Sequence, residues 1–421
     1  MAVSATLAIN QIVETKRRAG QVIVPLGFGE AGLPVHPELR AALAEAAARN
    51  SYGPVAGIGP LRAAAAGYWD RRDLPTDPDL VVAGPGSKPL LFALLLAIGG
   101  DVALPQPSWV SYAAQAALLD RRACLVPTVP GNGGVPDPER LADAAVEART
   151  AGRPLSSVVL TVPDNPTGTL ARPDVVREIC EVARRHDLVI ISDEIYRDLV
   201  HDGGDGFLSP AEVAPERTVI TTGLSKSLAL GGWRIGVTRL PDSPLGRTLF
   251  DSVTATASEV WSSPAQPVQH AAAWAFTEPA ALRARVEASR VLHARIVHAV
   301  ANRFVAAGAA VVAPQAAFYC YPDFESHRKT LASRWSITTS DDLAEVLLND
   351  LNVAVLPGSA FGDDEQALKV RVATSLLYGD DDEQRLTALG HPEPETLAWI
   401  GLALDRLSTA LAELTGEARR T

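Results

Sequence analysis

The sequence predicts an α/β fold, with a mainly parallel sheet layered between helices and a smaller α+β domain beside it. Three observations predict it. The chain has 421 residues, 47% of them apolar, enough for two or three domains and a large buried core. Short runs rich in Val, Ile and Leu recur at 80–83, 101–104, 157–162, 188–192 and 218–222; such runs suit strands buried on both faces. Helical patterns lie between them, at 89–98, 112–119 and 173–186, and this alternation marks crossover connections between parallel strands.

The tail of the chain reads differently. A nearly unbroken helical pattern covers 283–307. After it come strand-like stretches at 310–313 and 317–321, a helix at 340–351, strands at 353–356 and 369–373, and a last helix at 395–414. The long helix would join the smaller domain to the larger one. The acidic stretch 379–383 reads as an exposed loop. No internal repeat is visible.

Composition excludes several classes. The 38 Lys and Arg against 49 Asp and Glu give a net charge of −11, a poor match for nucleic acid or an anionic membrane. Cys124, Cys180 and Cys320 are widely spaced, with no CxxC pair, and the eight histidines form no HExxH. A disulfide framework and a metal site are therefore not expected. The first residues, Met1-Ala2-Val3-Ser4-Ala5-Thr6, lack a basic segment followed by an apolar run. The longest apolar stretch, 90–98, is about half a membrane span. A soluble cytoplasmic enzyme is the expectation.

Three glycine-rich or sequon-like segments are decoys. Gly27-Phe28-Gly29-Glu30-Ala31-Gly32 fits GxGxxG, but Leu33-Pro34-Val35-His36-Pro37 follows, and a dinucleotide fingerprint must open a helix. Gly84-Pro85-Gly86-Ser87-Lys88 lacks P-loop spacing and has Pro89 where a hydroxyl should hold magnesium. Asn165-Pro166-Thr167 has proline in the middle of the sequon.

The residues that carry chemistry sit where strands end. Lysine is scarce, with five in the chain, and Lys226 follows the 218–222 strand in a turn of small residues, Gly223-Leu224-Ser225-Lys226-Ser227. Sheets of this class bind ligands at the carboxyl ends of their strands. Asp193 ends the 188–192 strand with Tyr196 three residues on; a buried carboxylate there needs a cation or several donors. Asn165 follows the 157–162 strand in a polar turn. Gly86, Ser87 and Lys88 precede the helix expected at Pro89, and free N–H groups there suit a phosphate. Arg371 stands inside an apolar strand pattern, and Trp109 lies just before another helix.

Together these pieces resemble the pyridoxal-phosphate enzymes of the aspartate aminotransferase family, the class I/II aminotransferases of fold type I. The resemblance runs from about residue 7 to 375. It is carried by LGxGE at 26–30, YGPVAGxxxLR at 52–62, PxWVSY at 107–112, DNPTG at 164–168, SDEIY at 192–196, GLSKxxxxxGWRxG at 223–236, PGSAFG at 357–362, and Arg371. It implies a seven-stranded-type sheet in a large cofactor domain at 48–290. A small C-terminal domain would occupy 291–421, with 1–47 as an N-terminal arm and part of the small domain.

The resemblance also implies roles. Lys226 would hold pyridoxal 5′-phosphate as a Schiff base and serve as the base that moves the α-proton. Asp193 would pair with the pyridine nitrogen, and Asn165 and Tyr196 would donate to the ring's phenolic oxygen. Gly86, Ser87, Lys88, Ser225 and Arg234 would hold the phosphate, and Trp109 would stack on the ring. Arg371, Gly29, Asn165 and Trp109 would receive the substrate, Arg371 gripping its α-carboxylate. Tyr52 would reach the phosphate of a neighbouring subunit, which implies a homodimer with shared active sites. Asn165-Pro166 is a candidate cis peptide.

Transamination between an L-α-amino acid and a 2-oxo acid is the expected reaction. The alternatives are a lyase or β/γ-replacement enzyme, such as a 1-aminocyclopropane-1-carboxylate synthase-like one, and more distantly a non-catalytic cofactor-binding regulatory domain. The sequence departs from the family pattern in places. Ala31-Gly32-Leu33 replaces Pro-Asp-Phe at the substrate entrance, Ala316 replaces a common Gly, and 377–397 resembles an insertion. Gly223 stands where many relatives carry a phosphate-binding Ser, with Thr222 or Ser225 as substitutes. No second cation for a dicarboxylate side chain stands out, and the 258–264 segment offers Glu259 and Trp261 instead. A neutral, aromatic or amine-bearing substrate side chain is the resulting expectation.

Overall fold

A computed structural model describes residues 5–203 and 206–416. Residues 1–4, part of the stretch read for a leader, and 417–421, the end of the expected C-terminal domain, lie outside these. Among the described residues no helix is long and apolar enough to cross a membrane.

Among the described residues seven strands form the central sheet: β1 Val81–Gly84, β2 Asp101–Gln106, β3 Ala123–Pro127, β4 Leu155–Thr161, β5 Val189–Asp193, β6 Thr218–Gly223 and β7 Gly236–Arg239. Their order is β1-β7-β6-β5-β4-β2-β3. Only β7 is antiparallel to its neighbours, β6 and β1. Five strands fall on the predicted runs. The sequence reading missed β3 and β7. β3 is an edge strand, half exposed along its length, so its apolar signal is weak. β7 is four residues long, opens on Gly236 and ends on Arg239.

Helices cover both faces. Pro173–Arg185 shows why one forms. Pro173 sits in its first turn with Asp174, Arg184 and Arg185 close it, and Val175, Val176, Ile179, Cys180, Val182 and Ala183 make one buried stripe. Burying each large apolar side chain contributes roughly 1.5–3 kcal/mol. The helix expected from Pro89 begins earlier, at Ser87, and runs to Ile98.

The C-terminal residues pack on the N-terminal ones. Val24–Pro25 pairs in parallel with Val353–Ala354, and Val24, Leu26 and Leu33 join a core built from residues between Leu292 and Leu414. The long helix spans Ala280–Ala306. A three-stranded sheet orders Leu356–Pro357, Val370–Ala373 and Tyr319–Cys320. Two expectations change here. The 310–313 segment is no strand; only Ala310 makes a bridge, to Asp323, while Val312 is exposed and Pro314 ends the run. The acidic 379–383 stretch is a loop only as far as Asp381. Its side chain caps the backbone of Gln384, and the acids Asp382 and Glu383 open helix Asp382–Gly390, where the helix dipole favours them.

Candidate active site

A cavity of about 500 Å³ opens at the carboxyl ends of β1, β2, β4, β5 and β6. Its wall includes Gly29, Ser87, Lys88, Trp109, Asn165, Asp193, Tyr196, Ser225, Lys226, Arg234 and Arg371. Parallel pairing sets the floor. Asp193 stands level with Thr161 on β4 and Thr221 on β6, so one turn after each strand feeds the same hollow.

Lys226 projects from the short helix Leu224–Ser227 that follows β6. Its Nζ donates to the Gly29 carbonyl at 2.5 Å and lies 6.0 Å from the ring centroids of Tyr196 and Phe318. Burial, followed by the Arg371 charge, lowers its pKa from 10.5 to about 8. An amine so placed loses its proton near neutrality, as a nucleophile or base requires.

Asp193 is 3% exposed. The buried-carboxylate problem is met here by donors: Tyr112 Oη donates to Oδ2 at 2.8 Å and the Ile195 N–H to Oδ1 at 3.3 Å. Desolvation raises its pKa to about 6 despite the Tyr112 bond. Tyr112, itself 2.9 Å from Thr161 Oγ1, ends the PxWVSY motif, yet only Trp109 of that motif is read as functional from sequence.

Arg371 is buried between two rings, its guanidinium 5.1 Å from the Tyr319 centroid and 5.3 Å from that of Phe361. Nη2 donates to the Gly27 carbonyl, and Nε has no partner. Gly29 is required there: a Cβ on it would meet Tyr319 Oη at 2.5 Å and Arg371 Nη1 at 3.0 Å.

The anion cradle lies opposite. Gly86 caps helix Ser87–Ile98 at φ +97° and offers no side-chain cap, which leaves first-turn N–H groups for a ligand. Arg234 lies beside it, with Nη2 only 2.3 Å from where a Cβ on Gly86 would be. Gly223 cannot carry the serine of relatives, because its Cβ would stand 2.8 Å from the Ile235 carbonyl oxygen. Of the two proposed substitutes, Ser225 lines the cavity, whereas Thr222 turns its hydroxyl to the Glu194 carbonyl at 3.4 Å.

Tyr52, Glu259 and Trp261 do not line this cavity: Tyr52 is 94% exposed, Glu259 is exposed at the end of helix Pro244–Val260, and Trp261 caps that helix. The cis expectation also fails at Asn165-Pro166; among the described residues the cis bonds are Gln106-Pro107 and Val162-Pro163. The turn around Pro166 is closed instead by Asp164, whose Oδ2 accepts from Thr167 N at 3.1 Å and Thr167 Oγ1 at 2.5 Å.

Asp164 supplies a pH prediction. It is fully buried, Oδ1 has no partner, and desolvation raises its pKa from 3.8 to about 7. The folded value exceeds the free one, so the associated stability is complete below about pH 4 and is lost as pH rises through about 7. Between pH 5 and 9 the wild type should lose about 2 kcal/mol that Asp164→Asn retains, measured by unfolding across that range. Parallel profiles would refute this.

Comparison with known proteins agrees with the geometry. The profile of the family described as aminotransferase class I and II matches residues 22–376. Aspartate/prephenate aminotransferase of Thermus thermophilus is 33% identical over 364 residues, covering 85% of this chain and 89% of that protein. Aspartate aminotransferase of Geobacillus stearothermophilus is 32% identical over 383 residues, covering 89% and 92%. The solved structure of aspartate aminotransferase from Thermus thermophilus with maleate aligns with a TM-score of 0.82 at 30% identity, over 97% of each chain. With a lowered-pKa lysine, a buried aspartate and an arginine meeting at the strand ends of a fold type I sheet, this chain belongs to the class I and II aminotransferases, enzymes of amino-group transfer.

Proposed function

We propose that the chain is a pyridoxal 5′-phosphate-dependent transaminase that takes a dicarboxylic amino acid as donor. The observation that carries the cofactor is Lys226, a buried amine of lowered pKa facing a buried carboxylate across one cavity. Two further features fit the group. The Gly86 cradle has room only because it lacks a Cβ, and Arg234 adds a charge there.

The chemistry that pyridoxal 5′-phosphate supplies when bound is an electrophilic aldehyde and an electron-accepting ring. Lys226 Nζ would bind the aldehyde and, once released, take the proton from the substrate α-carbon. Asp193, held by hydrogen bonds from Tyr112 and Ile195, would keep a proton on the pyridine nitrogen. Asn165 and Tyr196 would donate to the phenolic oxygen, and Trp109 would cover one ring face. First-turn N–H groups of Ser87 and Lys88, with Ser225 and Arg234, would hold the phosphate. Arg371 would grip the α-carboxylate with the fork that Gly29 leaves clear.

Four cations line the cavity: Lys88, Lys226, Arg234 and Arg371. Three are occupied by the roles above. Lys88 remains, its Nζ 4.9 Å from the Trp109 ring centroid and in no ion pair among the described residues. In this reading it would supply the second cation, and a dicarboxylic donor would stand in place of the neutral side chain expected from the sequence. Relatives named aspartate aminotransferase support the same choice. Lys88→Ser should lower kcat/KM for aspartate and glutamate about 10–100-fold and leave alanine within about threefold. Purified wild type that turns over aromatic or neutral donors much faster than either acid would overturn it.

Exposed Tyr52 supports a homodimer in which each chain completes its partner's phosphate site. Three free cysteines suit a reducing cytoplasm. The pairing of Val24–Pro25 with Val353–Ala354 supports the two-body division with 1–47 and 291–421 together.

A further inference from the structure

Tyr319 has no role in the reading above, yet it touches both halves of the site. It lies on strand Tyr319–Cys320 and is 1% exposed. Its ring covers Arg371 at 5.1 Å. Its hydroxyl is 2.8 Å from the Tyr196 hydroxyl and 3.5 Å from the Gly29 carbonyl oxygen, the same oxygen that accepts from Lys226. One phenol therefore stands between the residues that would grip the substrate carboxylate and the residue that would face the cofactor oxygen.

Proton counting gives the direction. Each phenol has one proton to donate and can also accept. In the ligand-free chain either hydroxyl can be the donor. Once Tyr196 gives its proton to a ring oxygen, only Tyr319 can donate within the pair, and at 2.8 Å that bond is favoured over the 3.5 Å donation to the Gly29 carbonyl. A phenol that accepts such a bond becomes a better donor itself, because chained hydrogen bonds polarise one another.

We propose that Tyr319 is a positioning residue whose hydroxyl donates to Tyr196 and so strengthens the bond that Tyr196 gives to the cofactor ring, joining carboxylate grip and cofactor seat in one chain of contacts. This rests on the pyridoxal 5′-phosphate reading. The charged and titratable groups facing the pair are Asp193 at the end of β5, Lys226 after β6 and Arg371 on Val370–Ala373, with Glu30 and Arg234 acting on Lys226. Tyr319→Phe leaves all of them, and the ring over Arg371, in place.

The test is a pH titration of the visible absorbance of holoenzyme loaded with pyridoxal 5′-phosphate, for wild type, Tyr319→Phe, Tyr196→Phe and the double variant. Loss of the Tyr319 donor should raise the midpoint by about half a pH unit, while the double variant matches Tyr196→Phe alone. KM for the amino donor should stay within about twofold while kcat falls. An unmoved midpoint, or the same shift in the Tyr196→Phe background, overturns the proposal. If Tyr319→Phe does not load, 3-fluorotyrosine at position 319, a stronger donor of nearly the same shape, should lower the midpoint; no movement overturns the proposal equally. A wild type with no titrating visible band defeats the cofactor reading first, and this inference with it.

Discussion

Lys226→Ala should fold, bind pyridoxal 5′-phosphate without a covalent link, and turn over at least about 10⁴-fold more slowly than wild type. The expectation follows from position and charge. The Lys226 amine faces the Gly29 carbonyl and shares the cavity with Asp193, Asn165 and Tyr196, and burial with Arg371 nearby brings its pKa to about 8. Lys88, the other lysine along the cavity wall, sits over Trp109 instead, and Lys369 is paired with Asp363 at 3.2 Å. Borohydride reduction followed by digestion should tag the peptide containing position 226 in wild type and no peptide in the variant. A tag on another amine, or a variant of near-normal rate, would remove the basis of the mechanism.

Asp193→Asn should keep the fold and the covalent link while kcat falls by about 10²–10³, roughly 3–4 kcal/mol of barrier. The asparagine oxygen can still accept from the Ile195 N–H, while its amide nitrogen can donate to the Tyr112 hydroxyl, which turns its own proton to Thr161 Oγ1, so the local geometry survives. What disappears is the negative charge. The carboxylate is held in a desolvated pocket at some cost, its pKa raised to about 6, and a protonated ring nitrogen would repay that cost by supplying the counter-charge. Single-turnover loss of cofactor absorbance with a saturating donor measures the step directly. An unchanged rate would show that ring protonation does not depend on this residue.

Much of this was legible in the residues, for identifiable reasons. Strands buried on both faces announce themselves as apolar runs, and the chemistry sits where those runs stop: Asp193 after Val189–Ile191, Asn165 after β4, Lys226 after β6. What stayed hidden depended on contacts between distant segments. Tyr319 reads as one more strand residue until Tyr196, 123 positions away, is found against it. Tyr112 reads as helix core until its hydroxyl meets Asp193. Lys88 reads as a backbone donor until its side chain is found on the cavity wall over Trp109. The cis peptides escaped for a similar reason, since nothing local separates Val162-Pro163 from Asn165-Pro166.

The level alignment of Thr161, Asp193 and Thr221 across three adjacent strands has an evolutionary consequence. Their spacing is a lattice constant of the hydrogen-bond ladder, about 4.8 Å per strand, and no side chain sets it. Core residues can drift while that ruler keeps its length. The segment Ala31-Gly32-Leu33 lies off the ruler and is held by packing instead: Ala31 and Leu33 are buried, and a Cβ on Gly32 would stand 2.3 Å from the Ser375 carbonyl oxygen.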